Sequence, residues 1–93
     1  TVNPRVSVET TEIREVKLYP NPASEAIYIE FNNAYDGMIN IEITDISGAV
    51  VLSNEFSVHS GIAKINLVNL SKGVYFLRYN KGNLIGYHKI VIN

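Results

Sequence analysis

The sequence predicts an all-β protein, an antiparallel sandwich of about seven strands. Three observations carry this reading. Apolar and polar residues alternate with a period of two in several short stretches, which gives a strand one buried and one wet face. Turn-forming residues separate those stretches at the ~8–12-residue spacing of an antiparallel sandwich. No stretch keeps a helical period over the ~10 or more residues that an average helix needs.

Thr1–Glu15 is polar and β-branched without a clear pattern. Val6 and Val8 could form a short edge strand, but the composition favours a linker from an upstream domain over residues 1–15, with the folded domain at 16–93. That domain opens on Val16–Phe31, in which two apolar runs flank Tyr19-Pro20-Asn21-Pro22. Each proline fixes φ near ~−65° and removes an amide donor, and each pushes the residue before it toward extended geometry. The kink can enter no central ladder, so it belongs at a strand boundary or sheet edge. Beyond it, Ile27, Ile29 and Phe31 alternate with Tyr28 and Glu30 as the second arm of a kinked hairpin.

Asn32–Gly37 is a loop closed by Asp36-Gly37. Ile39, Ile41 and Ile43 alternate with Asn40, Glu42 and Thr44 as a half-buried strand. Asp45-Ile46-Ser47-Gly48 reads as a tight hairpin turn, because Asp can bond its own backbone and Gly48 can take positive φ. Ala49–Phe56 is the return strand and Ser57–Gly61 turns again. Ala63, Ile65 and Leu67 share one face of the next strand, and Asn69–Gly73 makes a corner. Val74–Asn80 is apolar on both faces, as for a central strand covered on both sides. Asn80–Asn83 is a hairpin loop, and Leu84–Ile92 closes the chain.

At 93 residues the chain is one domain, near the lower end of what buries a self-sufficient core. Apolar content of 46% against 18% charged residues argues for a folded domain and against a disordered tail. Lys+Arg 8 against Asp+Glu 9 leaves a formal charge of −1 and no basic stripe, so nucleic acid and anionic membrane are not expected partners. Without cysteine there are no disulfides or thiolate metal sites. No apolar run approaches the ~18 residues of a spanning helix. Thr1 opens no basic-then-apolar signal segment, so the chain reads as cytosolic or as a fragment of a longer one.

Catalytic chemistry is not expected. His59 beside Ser57 and Ser60 has no third orienting group and reads as a solvated turn, and His88 lies inside the last strand. The acids are scattered, so no metal is expected, and the glycines stand singly at turns, so no phosphate loop and no cofactor is expected. Asn69-Leu70-Ser71 fits the glycosylation pattern, a short signal frequent by chance. Among the six tyrosines, Tyr28 falls on a polar strand face and Tyr35 in a loop, whereas Tyr75, Tyr79 and Tyr87 are expected in the core or at its rim.

Read in order, Tyr19-Pro20-Asn21-Pro22-Ala23-Ser24, Ile43-Thr44-Asp45-Ile46-Ser47-Gly48, Leu70-Ser71-Lys72-Gly73-Val74-Tyr75-Phe76 and a terminal Lys89-Ile90-Val91 form one pattern. It resembles the type A C-terminal sorting domain of type IX (Por) secretion cargo, over Val16–Asn93. Tyr19, Pro20, Asn21 and Pro22 correspond to the first motif, Asp45 and Gly48 to the middle one, Gly73 and Tyr75 to the later one, and Lys89, Ile90 and Val91 to the terminal strand. Ala49 and His88 stand where basic residues are common in the family.

The resemblance implies an immunoglobulin-like sandwich in surface or secreted proteins of Bacteroidota. It implies a non-catalytic signal that takes an upstream cargo domain through the periplasm and across the outer membrane, to the cell surface or beyond. Its expected partners are the type IX machinery and a surface sortase-like protease that removes the domain. The alternative is an immunoglobulin- or fibronectin-like accessory module that binds polysaccharide, or spaces an enzyme, and the former would need a contiguous exposed aromatic face. Leu84–Ile92 has little beyond Lys89 to guard an edge, which invites pairing with another chain, a second copy of this one included.

Overall fold

A computed structural model describes residues 16–32 and 35–93. The expectations for Thr1–Glu15, linker or edge strand, lie outside the described residues. Seven strands follow in chain order: β1 (Lys17–Tyr19), β2 (Ala26–Glu30), β3 (Gly37–Asp45), β4 (Val50–Val58), β5 (Ile62–Asn66), β6 (Gly73–Lys81) and β7 (Leu84–Ile92). Among the described residues there is no helix. The strands form a three-stranded sheet, β1-β2-β5, and a four-stranded sheet, β4-β3-β6-β7. Every ladder between neighbouring strands is antiparallel. The all-β, seven-strand sandwich is the architecture that the alternation predicts.

The inward residues of the two sheets make one core. Ile27 and Ile29 from β2, Ala63 and Ile65 from β5, and Leu67 just after it come from the smaller sheet. Ile39, Ile41 and Ile43 from β3, Leu77 and Tyr79 from β6, and Ile90 and Ile92 from β7 come from the larger. Branched aliphatic side chains suit a half-buried pleated surface, which is why these stretches are strands. A fully buried Ile withdraws enough apolar area to contribute about 1.5–3 kcal/mol.

The corner into β6 is fastened by Tyr75, whose hydroxyl donates to the Ser71 carbonyl at 2.7 Å. This is the tyrosine corner of immunoglobulin-like sandwiches, a side-chain tie from the start of a strand back across the turn before it. At the other end of β6, Tyr79 faces Gly86 of β7 in register. A Cβ built on Gly86 would overlap the Tyr79 ring, so the missing side chain is the space that the ring fills. Phe31 meets the same ring edge-on at 5.8 Å, and His88 stacks on it at 5.8 Å.

Two expectations are corrected here. β6 is central in its sheet, but only one of its faces is buried: Tyr75, Leu77 and Tyr79 point inward, while Val74 and Phe76 lie 36% and 43% exposed. Among the described residues, no element lies over the outer face, and the apolar side chains there are exposed. Tyr87 belongs to that face as well and is 71% exposed, not a core or rim residue. It occupies the outward phase of β7, paired in register with Arg78.

Filling the Gly86 space should force the Tyr79 ring out of its place. Gly86→Ala is expected to lower stability by about 1–3 kcal/mol through overpacking, read as an earlier urea midpoint with an unchanged slope.

Candidate functional site

The prolines decide what happens at the sheet edge. The β1–β2 register ends at Tyr19, where Pro20 and Pro22, each with φ fixed near ~−65°, kink the chain. It crosses instead to the other sheet. Ala23 lies beside Ile92 in a parallel bridge, its N–H donating to the Val91 carbonyl at 2.8 Å and its carbonyl accepting from the Asn93 N–H at 2.8 Å. Asn21 continues that pairing with its side chain. Its Oδ1 accepts from the Val91 N–H at 3.0 Å, and its Nδ2 donates to the Lys89 carbonyl at 3.2 Å. A carboxamide thus serves β7 as a neighbouring peptide group would. The peptide bonds Tyr19–Pro20 and Asn21–Pro22 are both cis.

This corrects the picture of an unguarded terminal edge. Asn21 and Ala23 cover β7 from Lys89 onward, and among the described residues nothing pairs with the outer edge of its first half. The sequence motifs also converge on this end of the molecule. Gly73, Val74 and Tyr75 of β6 lie opposite Ile92, Val91 and Ile90 of β7. On its other side, Tyr75 lies opposite Asp45 of β3. Asp45, Tyr75, Ile90 and the Asn21 clamp therefore make one row across the four-stranded sheet, although the first and last are far apart in sequence.

Each predicted position has a local structural cause. Tyr19 ends β1, 39% exposed, with its ring stacked on Tyr28 at 5.7 Å. Pro20 and Pro22 are exposed at the kink, Lys89 is exposed, Val91 is half-buried and Ile90 is fully buried. Asp45 organises the β3–β4 turn: its Oδ1 accepts from the Ser47 hydroxyl at 2.7 Å, the Ser47 N–H at 2.9 Å and the Ala49 N–H at 3.0 Å. These donors, the Ser47 hydroxyl foremost, hold its carboxyl below the ordinary carboxylate range. Gly48, at φ 92°, supplies the positive φ that the turn requires. Sequence reasoning missed Ala23, Ser47 and Ser71. The one signal for Ala23 was a small residue directly after the kink, where only a short side chain fits a buried crossing between sheets.

Elsewhere the surface offers less. A shallow polar trough crosses the outer face of the four-stranded sheet, lined by Asn40, Glu42, Ser53, Glu55, Arg78 and Asn80. No three His, Cys, Asp or Glu side chains cluster as metal ligands among the described residues. His59 is exposed in the turn before β5, where the Ser60 N–H donates to Asp36 at 2.7 Å. The exposed aromatics divide between opposite faces, Tyr19 with half-buried Tyr28 on the smaller sheet and Phe76 with Tyr87 on the larger.

The sequence profile of the secretion system C-terminal sorting domain matches residues 17–93. The chain belongs to that family. It is a type IX (Por) sorting domain, a secretion signal for export toward the cell surface or extracellular space. Its fold is similar to that of a DUF3244 family protein with an immunoglobulin-like β-sandwich fold from Bacteroides vulgatus, at TM-score 0.58 and 20% identity over 81% of this chain and 82% of that one. It is also similar to part of dimeric latent PorU from Porphyromonas gingivalis, at TM-score 0.55 and 22% identity over 83% of this chain. The match spans 9% of the PorU chain. At these identities the likeness is one of fold. No curated protein matches the sequence.

Two outcomes follow for this sorting domain. Asn21→Ala removes both clamp bonds and should cost about 1–2 kcal/mol; hydrogen exchange should quicken first at the Val91 amide, and Asn21→Asp, which keeps the acceptor, should preserve that protection. Burial against Tyr79 lowers the His88 pKa, so the folded state disfavours the imidazolium. Its contribution is complete above the ordinary value of about 6.5 and is lost as pH falls from there through the lower folded value. The melting temperature should drop between pH 7 and pH 5, and His88→Gln should flatten that drop.

Proposed function

We propose that the end of the sandwich where the four motifs meet is the address that the type IX machinery reads, with β7 and its neighbouring face as the contact. The observation that carries this is the Asn21 clamp: the amide of the first motif holds Lys89 and Val91 of the last one. Residues that begin and end the domain thereby present one surface, and that surface exists only when the domain has folded. The domain acts as a non-catalytic signal for a cargo domain upstream of residue 16, on a route through the periplasm and across the outer membrane. A surface sortase-like protease then cuts within or before Thr1–Val16, since a protease needs exposed backbone outside a ladder.

The test places residues 1–93 behind a signal peptide and a fluorescent reporter in a type IX-competent host. Surface or medium fluorescence that requires the secretion apparatus is expected, and reporter retained in the periplasm would sink the reading. Deleting Lys89–Asn93 should abolish export, but it also removes the buried Ile90 and Ile92. The separating variant is Lys89→Glu with Val91→Lys, whose side chains lie off the core. It should keep the melting temperature within a few degrees and still lower export several-fold; unchanged export from that folded variant would show that the machinery reads another surface.

A further inference from the structure

The backbone of β7 alternates in direction. The amides and carbonyls of the odd residues from Lys89 to Asn93 point away from β6, because these are the groups that Asn21 and Ala23 engage. By the same alternation, the N–H and C=O groups of Ile85 and Tyr87 point away from β6 too. Among the described residues, no strand lies beside them. Their side chains share the outer face at 43% and 71% exposure, and between them sits Gly86. The proline crossing explains this opening: the segment that covers β7 beyond Lys89 through Asn21 and Ala23 belongs, at Tyr19, to the other sheet.

We infer that this open half-edge, Leu84–His88, pairs antiparallel with the same segment of a second copy of the chain, about a two-fold axis at Gly86. The registers available to such a pair can be ranked. Outward-facing groups must meet outward-facing groups, so odd residues oppose odd residues. With the axis at Tyr87, Ile85 would face Lys89 of the copy, whose carbonyl the Asn21 amide already engages. With the axis at Ile85, Tyr87 would face Asn83, which lies in the turn and outside the strand.

With the axis at Gly86, Ile85 of each copy faces Tyr87 of the other. Each of those two pairs exchanges both of its backbone hydrogen bonds, and every group used is one that the described residues leave open. The outer face then carries two β-branched–aromatic cross-strand contacts, a favourable pairing. Lys89 falls opposite Asn83, so no like charges meet, and the copy's strand reaches its turn where the Asn21 clamp begins. The formal charge of −1 adds little repulsion between copies. The contact is short, below the ~1,200 Å² at which stable interfaces begin, so the dimer is a transient one that forms at high local concentration. This pairing does not rest on the sorting role.

The experiment uses the 93-residue chain. Sedimentation from micromolar to millimolar concentration should show a concentration-dependent monomer–dimer equilibrium. Tyr87→Pro, which removes an outward amide and spares the β6 ladder, should shift the dissociation constant at least tenfold. Register is read by disulfides, since the chain has no cysteine of its own. An oxidised mixture of Ile85→Cys and Tyr87→Cys should cross-link several-fold more than either variant alone, because only residues 85 and 87 of different copies come within disulfide reach. These exposed substitutions keep the test decisive if Tyr87→Pro does not fold. A monomer at every concentration overturns the inference, whether the Ile85 and Tyr87 amides exchange freely or are protected by the chain's own residues 1–15. A dimer indifferent to Tyr87→Pro, or cross-linking equally well as single variants, overturns it as well.

Discussion

One short strand is asked to serve two sheets. β1 pairs with β2 for three residues, and the same extended segment then pairs with β7 through Ala23. A strand without the kink would stay beside β2 and leave the far edge of β7 bare. The proline kink ends the first pairing, and the Asn between the prolines faces the second sheet with a side chain that both donates and accepts. The sandwich is thereby closed along one side without a disulfide, which matters in a chain that contains no cysteine.

That closure also sets where information in the sequence ends up. Asn21 and Val91 are bonded across 70 residues. Tyr75 stands between Asp45 and Ile90 in the sheet, tied by its hydroxyl to the corner that starts β6. Asp45 in turn fixes the β3–β4 hairpin with one carboxylate oxygen. Motifs that look like independent turn signals are neighbours in one row, so disturbing one changes the setting of the next. Each bond is modest, about 0.5–1.5 kcal/mol when neutral, yet the marginal stability expected of a domain this small makes several of them together a substantial share.

What was legible in the sequence is what depends on local periodicity. Ile39, Ile41 and Ile43 or Ala63, Ile65 and Leu67 declare their buried face by spacing two apart, and Asp45 with Gly48 declares a turn, so strand number and sandwich class could be read directly. The partners of the terminal strand could not. A side-chain amide that replaces a strand neighbour leaves no periodic trace, and its contact is set by the three-dimensional crossing of the chain. The outward face of β6 misled for the opposite reason. Val74 and Phe76 are as apolar as core residues, but burial is decided by whether something lies over them, and no described element does. Tyr87 was misplaced by the same inference from apolar neighbours. Gly86 and Tyr79 form a complementary pair that only the register between β6 and β7 brings together.

On the reading proposed above, a sorting signal written as a folded shape faces a particular difficulty: the residues that specify it are those that hold it together. Turn formers and clamps are under the demands of folding first, so losing one removes the address by removing the surface. The exceptions are positions whose backbone is fixed by the clamp while the side chain faces solvent, Lys89 chief among them. At such positions the chain can vary the text without disturbing the page. The half-edge at Ile85 and Tyr87 is the complementary case, since there no described residue pairs with the backbone itself. An edge closed over one half by a proline kink and an asparagine, and over the other half unpaired among the described residues, has the physical chemistry that invites strand pairing.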